Sequence, residues 1–203
     1  SAMTPPETID GPIAGVVPQD SGFVDDPICT ATGHFLEVED DLVMPPRLEL
    51  LRWRRSYSSR FTRAGAHGTG WWSWADVSLQ RDGAGGLLFC GPDGQQFELE
   101  LRLDDTGRPD GWVGPEGVPV TAAAEGDDVV VRWGQRCAHP SQRWTFGPDG
   151  LLSTVTSEVL GTTRFLHEDR RLVALEHDGG RSLRIDWAAF EGGVVRIAAV
   201  HAS

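Results

Sequence analysis

The chain has 203 residues, enough for one large domain or two small ones with a real hydrophobic core. Its formal net charge of −12 leaves no basic footprint for nucleic acid, and all 18 basic residues are arginine. No stretch approaches the roughly 18 consecutive apolar residues of a membrane span, and the N-terminus lacks the apolar region of a signal peptide.

Ser1-Ala2 ahead of Met3 reads as a cloning scar, so a piece of a longer polypeptide is expected. Residues 1–25 hold Pro5, Pro6, Gly11, Pro12, Gly15, Pro18 and Gly22 without periodicity and read as a tether or linker. From Asp26 onward the texture changes to short apolar alternations cut by turn dipeptides. Leu36 and Val38 alternate with Glu37 and Glu39. Leu51, Trp53, Arg55 and Tyr57 share one face of the next strand, and Phe97, Leu99 and Leu101 share a face further on. Val129, Val131 and Trp133 mark another strand, whereas Thr121–Glu125, the one Ala-rich run, is too short for a helix. A period of 2 places one face on a core and the other in water. Asp82-Gly83, Asp93-Gly94, Asp110-Gly111, Asp149-Gly150 and Asp178-Gly179 suit tight hairpin turns.

The last third holds a degenerate repeat. Trp144-x-Phe146-x4-Leu151 returns 21 residues on as Phe165-x-His167-x4-Leu172, and 20 further as Ile185-x-Trp187 with a looser return at Val194. Periods near 20 point to stacked hairpins that cover one another's apolar faces. The fold class is therefore all-β: a multi-stranded antiparallel sheet of stacked hairpins, curled or a partial shell, with little helix. Residues 26–140 form one β domain and 141–203 a set of repeats continuous with it. An open edge is costly unless covered. Either residues 1–25 fold back over it, or the chain associates edge to edge.

No catalytic residue, cofactor or metal is expected. Cys29, Cys90 and Cys137 contain no C-x-x-C pair and read as buried free thiols, with at most one disulfide among them. His34, His67, His139, His167, His177 and His201 fall in no metal-ligand spacing, and Asp25-Asp26 and Asp104-Asp105 lack the alternating ligands of a calcium loop. Arg52, Arg54, Arg55, Arg60 and Arg63 crowd around Trp53 and Tyr57. They read as an anion site or, preferably, as solvated charges with Arg55 tied to a carbonyl or carboxylate. Trp71, Trp72 and Trp74 read chiefly as core, with Trp72 and Trp74 as the alternative, a stacking platform in a carbohydrate-binding β module.

Three motifs in order resemble the N-terminal domain of RHS/YD-repeat proteins. Asp26-Pro27-Ile28-Cys29-Thr30-Ala31-Thr32-Gly33 is similar to that family's opening. Leu48-x-Leu50-x-Arg52-x-x-Arg55-Ser56-Tyr57-Ser58-Ser59 follows, and then Gly68-x-Gly70-Trp71-x-Ser73. The Tyr-Asp pair that names the repeats is His167-Glu168 in one copy and Trp187-Ala188 in the next. The resemblance implies that Asp26, Pro27, Thr32, Gly33, Arg52, Arg55, Tyr57, Gly70 and Trp71 specify the fold. It also implies a structural role: a secreted or cell-surface shell enclosing a C-terminal effector, partnered chiefly by the rest of its own polypeptide. The family's self-cleaving segment has no counterpart here.

Overall fold

A computed structural model describes residues 36–42, 51–134 and 141–203. Asp26, Pro27, Thr32 and Gly33, the covering role given to residues 1–25, and Cys29 and Cys137 lie outside the described residues. The architecture is all-β, with 3-10 turns at Trp74–Asp76 and Glu191–Gly193. A three-stranded antiparallel sheet joins β1 (Leu36–Leu42), β2 (Trp53–Ser58) and β5 (Trp71–Trp72) in the order β1-β2-β5. Between β2 and β5 lies a small hairpin, β3 (Ala64–Gly65) with β4 (Gly68–Thr69).

The long sheet has twelve strands, each paired with its neighbours in sequence. Its first half is β6 (Ser78–Arg81), β7 (Leu87–Cys90), β8 (Gln96–Leu103), β9 (Pro109–Val113), β10 (Val120–Glu125) and β11 (Asp128–Trp133). The second half is β12 (Gln142–Phe146), β13 (Leu152–Ser157), β14 (Gly161–Glu168), β15 (Arg171–His177), β16 (Ser182–Ala189) and β17 (Val195–Ala202). β11 and β12 pair in unbroken register from Val129↔Phe146 to Trp133↔Gln142. No sheet boundary separates β11 from β12, so residues 141–203 continue the long sheet, and the two sheets meet within residues 26–140.

The sheet curls onto itself. Laid flat, strands five places apart would be separated by roughly 24 Å at 4.8 Å per strand. Yet the Phe89 ring on β7 and the Trp144 ring on β12 have centroids 5.7 Å apart. Trp133 and Phe146 also pack on Phe89, and Trp74 lies 5.3 Å from Trp144 and 5.0 Å from Phe165. The β6 edge closes against the β12–β13 turn, where the Leu79 N–H donates to the Gly150 carbonyl at 2.9 Å and Ser78 bridges Leu151. The apolar face that the sequence turns toward an enclosed space is filled here by the chain's own rings, because aromatic side chains from both halves meet across the curl.

The repeat has a backbone counterpart. The ladder slips between Thr145 and Phe146, again between Leu166 and His167, and again between Asp186 and Trp187. Each slip leaves one extra residue on the return strand: Ser153, Val173 and Ala198. Such bulges bend a strand and increase its twist. They also let residues three apart face one side, so Leu152 and Val155 are both buried, as are Leu172 and Leu175. Two expected positions shift. Leu151 closes its turn, accepting the Gly147 N–H at 3.0 Å, and Leu152 takes the core place opposite Phe146. Val194 likewise closes a turn at Phe190, and Ile197 faces Trp187.

Most Asp-Gly turns form as expected, but Asp110-Gly111 lies within β9. The turn there is Asp104–Gly107, held by the Gly107 N–H to the Asp104 carbonyl at 2.9 Å. Gly111 is instead a strand glycine at φ +88, where a Cβ would stand 2.5 Å from the Ala122 carbonyl oxygen.

Candidate functional site

The residues singled out from the sequence meet where the three-stranded sheet joins the long one. Strand β2 offers Trp53, Arg55 and Tyr57 on one face by alternation. Trp53 is fully buried, while Arg55 and Tyr57 are half-buried. The Arg55 guanidinium donates to both Asp41 oxygens, at 2.6 and 2.8 Å, and to Glu39. Those carboxylates on β1 hold its pKa above the usual arginine value, Asp41 foremost. Its Cζ also stands 4.9 Å over the Trp71 ring, which packs on Tyr57 at 5.2 Å. Arg54, on the opposite face, grips Asp40 at 2.6 and 2.8 Å and draws that carboxyl below its ordinary pKa. The Arg52 carbonyl accepts the Trp74 indole N–H at 3.2 Å.

Gly70 allows the approach of this cluster. It sits at φ +83, and a Cβ would come within 2.7 Å of Tyr57 Cε2. Its carbonyl receives the Ser58 N–H at 3.0 Å, which ties the start of β5 to the end of β2.

Trp72 and Trp74 form no platform. They are 2% and 8% exposed, Trp72 edge-on to Phe61 at 5.5 Å and Trp74 wedged against Trp144 and Phe165. The physical reason is the 3-10 turn after Trp72, which steers Trp74 into the core of the long sheet while Trp72 stays under the small one. Trp71, half-exposed, is covered by Arg55 and Tyr57.

Two residues at this junction, Asp76 and Ala66, were not marked in the sequence, and a third, His67, was marked only as a histidine outside any metal-ligand spacing. Asp76 closes a capping box with Ser73, accepting the Ser73 N–H at 3.0 Å, and also takes the Ala66 N–H at 2.8 Å. Burial raises its pKa in spite of these donors. The signal was available as Ser73-x-x-Asp76, a capping pattern. Ala66 and His67, at the tip of the β3–β4 hairpin, carried no such signal. The His67 ring packs edge-to-face on Trp53 at 5.9 Å, and burial and Arg55 push its pKa down to about 4.

Among the described residues no three His, Cys, Asp or Glu side chains converge as metal ligands. Cys90 is a buried free thiol whose pKa burial raises, which suppresses the reactive thiolate. No helix among the described residues is long and apolar enough to cross a membrane. The junction's chemistry is that of attachment: ion pairs, ring stacking and capping bonds.

Fold and junction together define an all-β protein built as one sequential, curled antiparallel meander joined to a small N-terminal sheet. A family described as a domain of unknown function, DUF6531, matches residues 25–99, a span that takes in β1 to β7 and the first half of β8. No curated protein matches the chain.

Proposed function

We propose that this chain is a non-enzymatic structural segment of an RHS/YD-repeat shell, which in the full-length protein encloses a C-terminal effector such as a toxin. The observation that carries the reading is the same bulged hairpin three times in succession, at Phe146, His167 and Trp187. A hairpin that bends the same way each time curls a growing sheet continuously, which is what building a wall around a cargo requires. The ordered motifs from Asp26 to Ser73 support it, as does the DUF6531 match over the same stretch. Residues filling the interior are aliphatic and aromatic, Arg55 and Asp41 are committed to the β1–β2 pair, and Asp76 ties the β3–β4 tip to the 3-10 turn. The route would be secretion or surface display, and the main partner the rest of the same polypeptide. The carbohydrate-binding alternative has no support from the buried Trp72 and Trp74.

The test is limited proteolysis of the full-length polypeptide. The reading expects further repeats after Ser203 and a C-terminal domain that resists protease until the shell is unfolded. A reading frame without further repeats, or a C-terminal domain digested as fast as the isolated domain, overturns it.

A further inference from the structure

The β3–β4 hairpin reaches the opposite end of the long sheet. Ala66 at its tip commits both backbone groups: its N–H donates to Asp76 at 2.8 Å, and its carbonyl accepts the Ile197 N–H of β17 at 2.9 Å. β17 is the terminal strand of the sheet order, paired with β16 on one side. Ile197 and Val200 are half-buried, whereas the equivalent Leu172 and Leu175 of the preceding hairpin are 1% and 0% exposed. The Ala66 contact is thus a clasp between the hairpin tip and β17.

His67 adjoins the clasp. Its Nε2 is buried with no hydrogen-bond partner. Arg55 faces it from β2 and Asp41 from β1. On the β17 side, the Arg196 guanidinium lies 3.6 Å from where a Gly68 Cβ would stand. Asp76 accepts from the Ser73 and Ala66 N–H groups beside it. An imidazolium here would bury an Nε2–H that has no acceptor and add a cation beside Arg55 and near Arg196; Asp41 favours the charged ring, but burial and Arg55 outweigh it. A gap of about 320 Å³, lined by Asp41, Trp53, Arg55, His67 and the Ile197–Val200 stretch, gives the tip room to move.

We propose that His67 is the trigger of an acid-released clasp: when its ring takes a proton, the hairpin tip leaves its seat and Ala66 lets go of Ile197. The direction follows from the neutral ring being the form the closed clasp prefers. With the ring held near 4 when seated and returning to 6.5 when released, opening gains roughly 20-fold between pH 7 and pH 5.

The experiment is amide hydrogen exchange by NMR at pH 7 and pH 5, corrected for intrinsic rates, on this chain and on His67→Phe. Protection at Ile197 is expected to fall roughly 20-fold in the parent chain on acidification. It should hold in His67→Phe, while ladder amides of β11 and β14 keep theirs in both. Undiminished Ile197 protection at pH 5, an equal loss in His67→Phe, or a loss shared with β11 and β14 overturns the proposal. Should the Phe ring disturb the seat, His67→Gln, neutral at both pH values, is read against the same criteria.

Discussion

At the scale of single residues the junction is set by what cannot be larger. Gly70 occupies a positive φ beneath the Tyr57 ring, so Gly70→Ala meets both backbone strain and a clash. A loss of more than about 1 kcal/mol in urea unfolding is expected; an unchanged midpoint would remove Gly70 from the residues that specify the fold. The core argues from the opposite end. Trp144 is fully buried and touches Trp74, Phe89 and Trp133, so it joins three strands and the 3-10 turn in one contact set. Trp144→Ala is expected to cost about 3–5 kcal/mol, read by the same measurement. A cost near zero would mean the curled arrangement of rings is not what stabilises the molecule.

Among the elements, the bulged hairpin is the informative unit. Residues three apart facing one side is a helix-like spacing, yet in β13, β15 and β17 it arises because one residue is looped out. Deleting Val173 gives β14–β15 a plain ladder, with Leu172 and Leu175 two apart and still on one face. The strands should therefore pair and far-UV circular dichroism should be kept. The bend is lost, so the packing of Trp74 on Phe165 and the closure of Leu79 on Gly150 should loosen. A lower thermal midpoint with a weakened near-UV spectrum is the expected result, and an unaltered near-UV spectrum would show that the curl comes from elsewhere.

For the whole molecule, two groups on the N-terminal side pull stability in opposite directions with pH. Burial pushes Asp93 up to about 6, so the folded state favours its protonated form; that contribution is full below 3.8 and lost as pH rises through 6. His67, held down to about 4, favours the folded state while neutral, a contribution lost as pH falls from 6.5 through 4. Between pH 7 and pH 5 the gain and the loss are of similar size and largely cancel. Asp93→Asn, which keeps an oxygen for the Gln95 N–H, removes the gain alone. Its melting temperature should fall on acidification more than that of the parent chain, whereas His67→Phe should rise. Parallel pH profiles for all three would refute both assignments.

What could be read from the sequence was what neighbouring residues impose on one another. Alternation at Phe97–Leu101 and Val129–Trp133 dictated strands, turn residues at Asp93-Gly94 and Asp149-Gly150 dictated reversals, and the 20-residue period dictated hairpins. The same local rules misplaced Asp110-Gly111, because a strand glycine forced by the Ala122 carbonyl has the composition of a turn. They misjudged Leu151 because a bulge shifts the core position by one. Which rings meet, whether Trp72 and Trp74 face a ligand or the protein's interior, and why His67 Nε2 is buried without a hydrogen-bond partner depend on strands far apart in the chain arriving at one place. Alternation marks which side of a strand is oily, but it carries no information on what lies opposite, and that was decided only when the sheet curled.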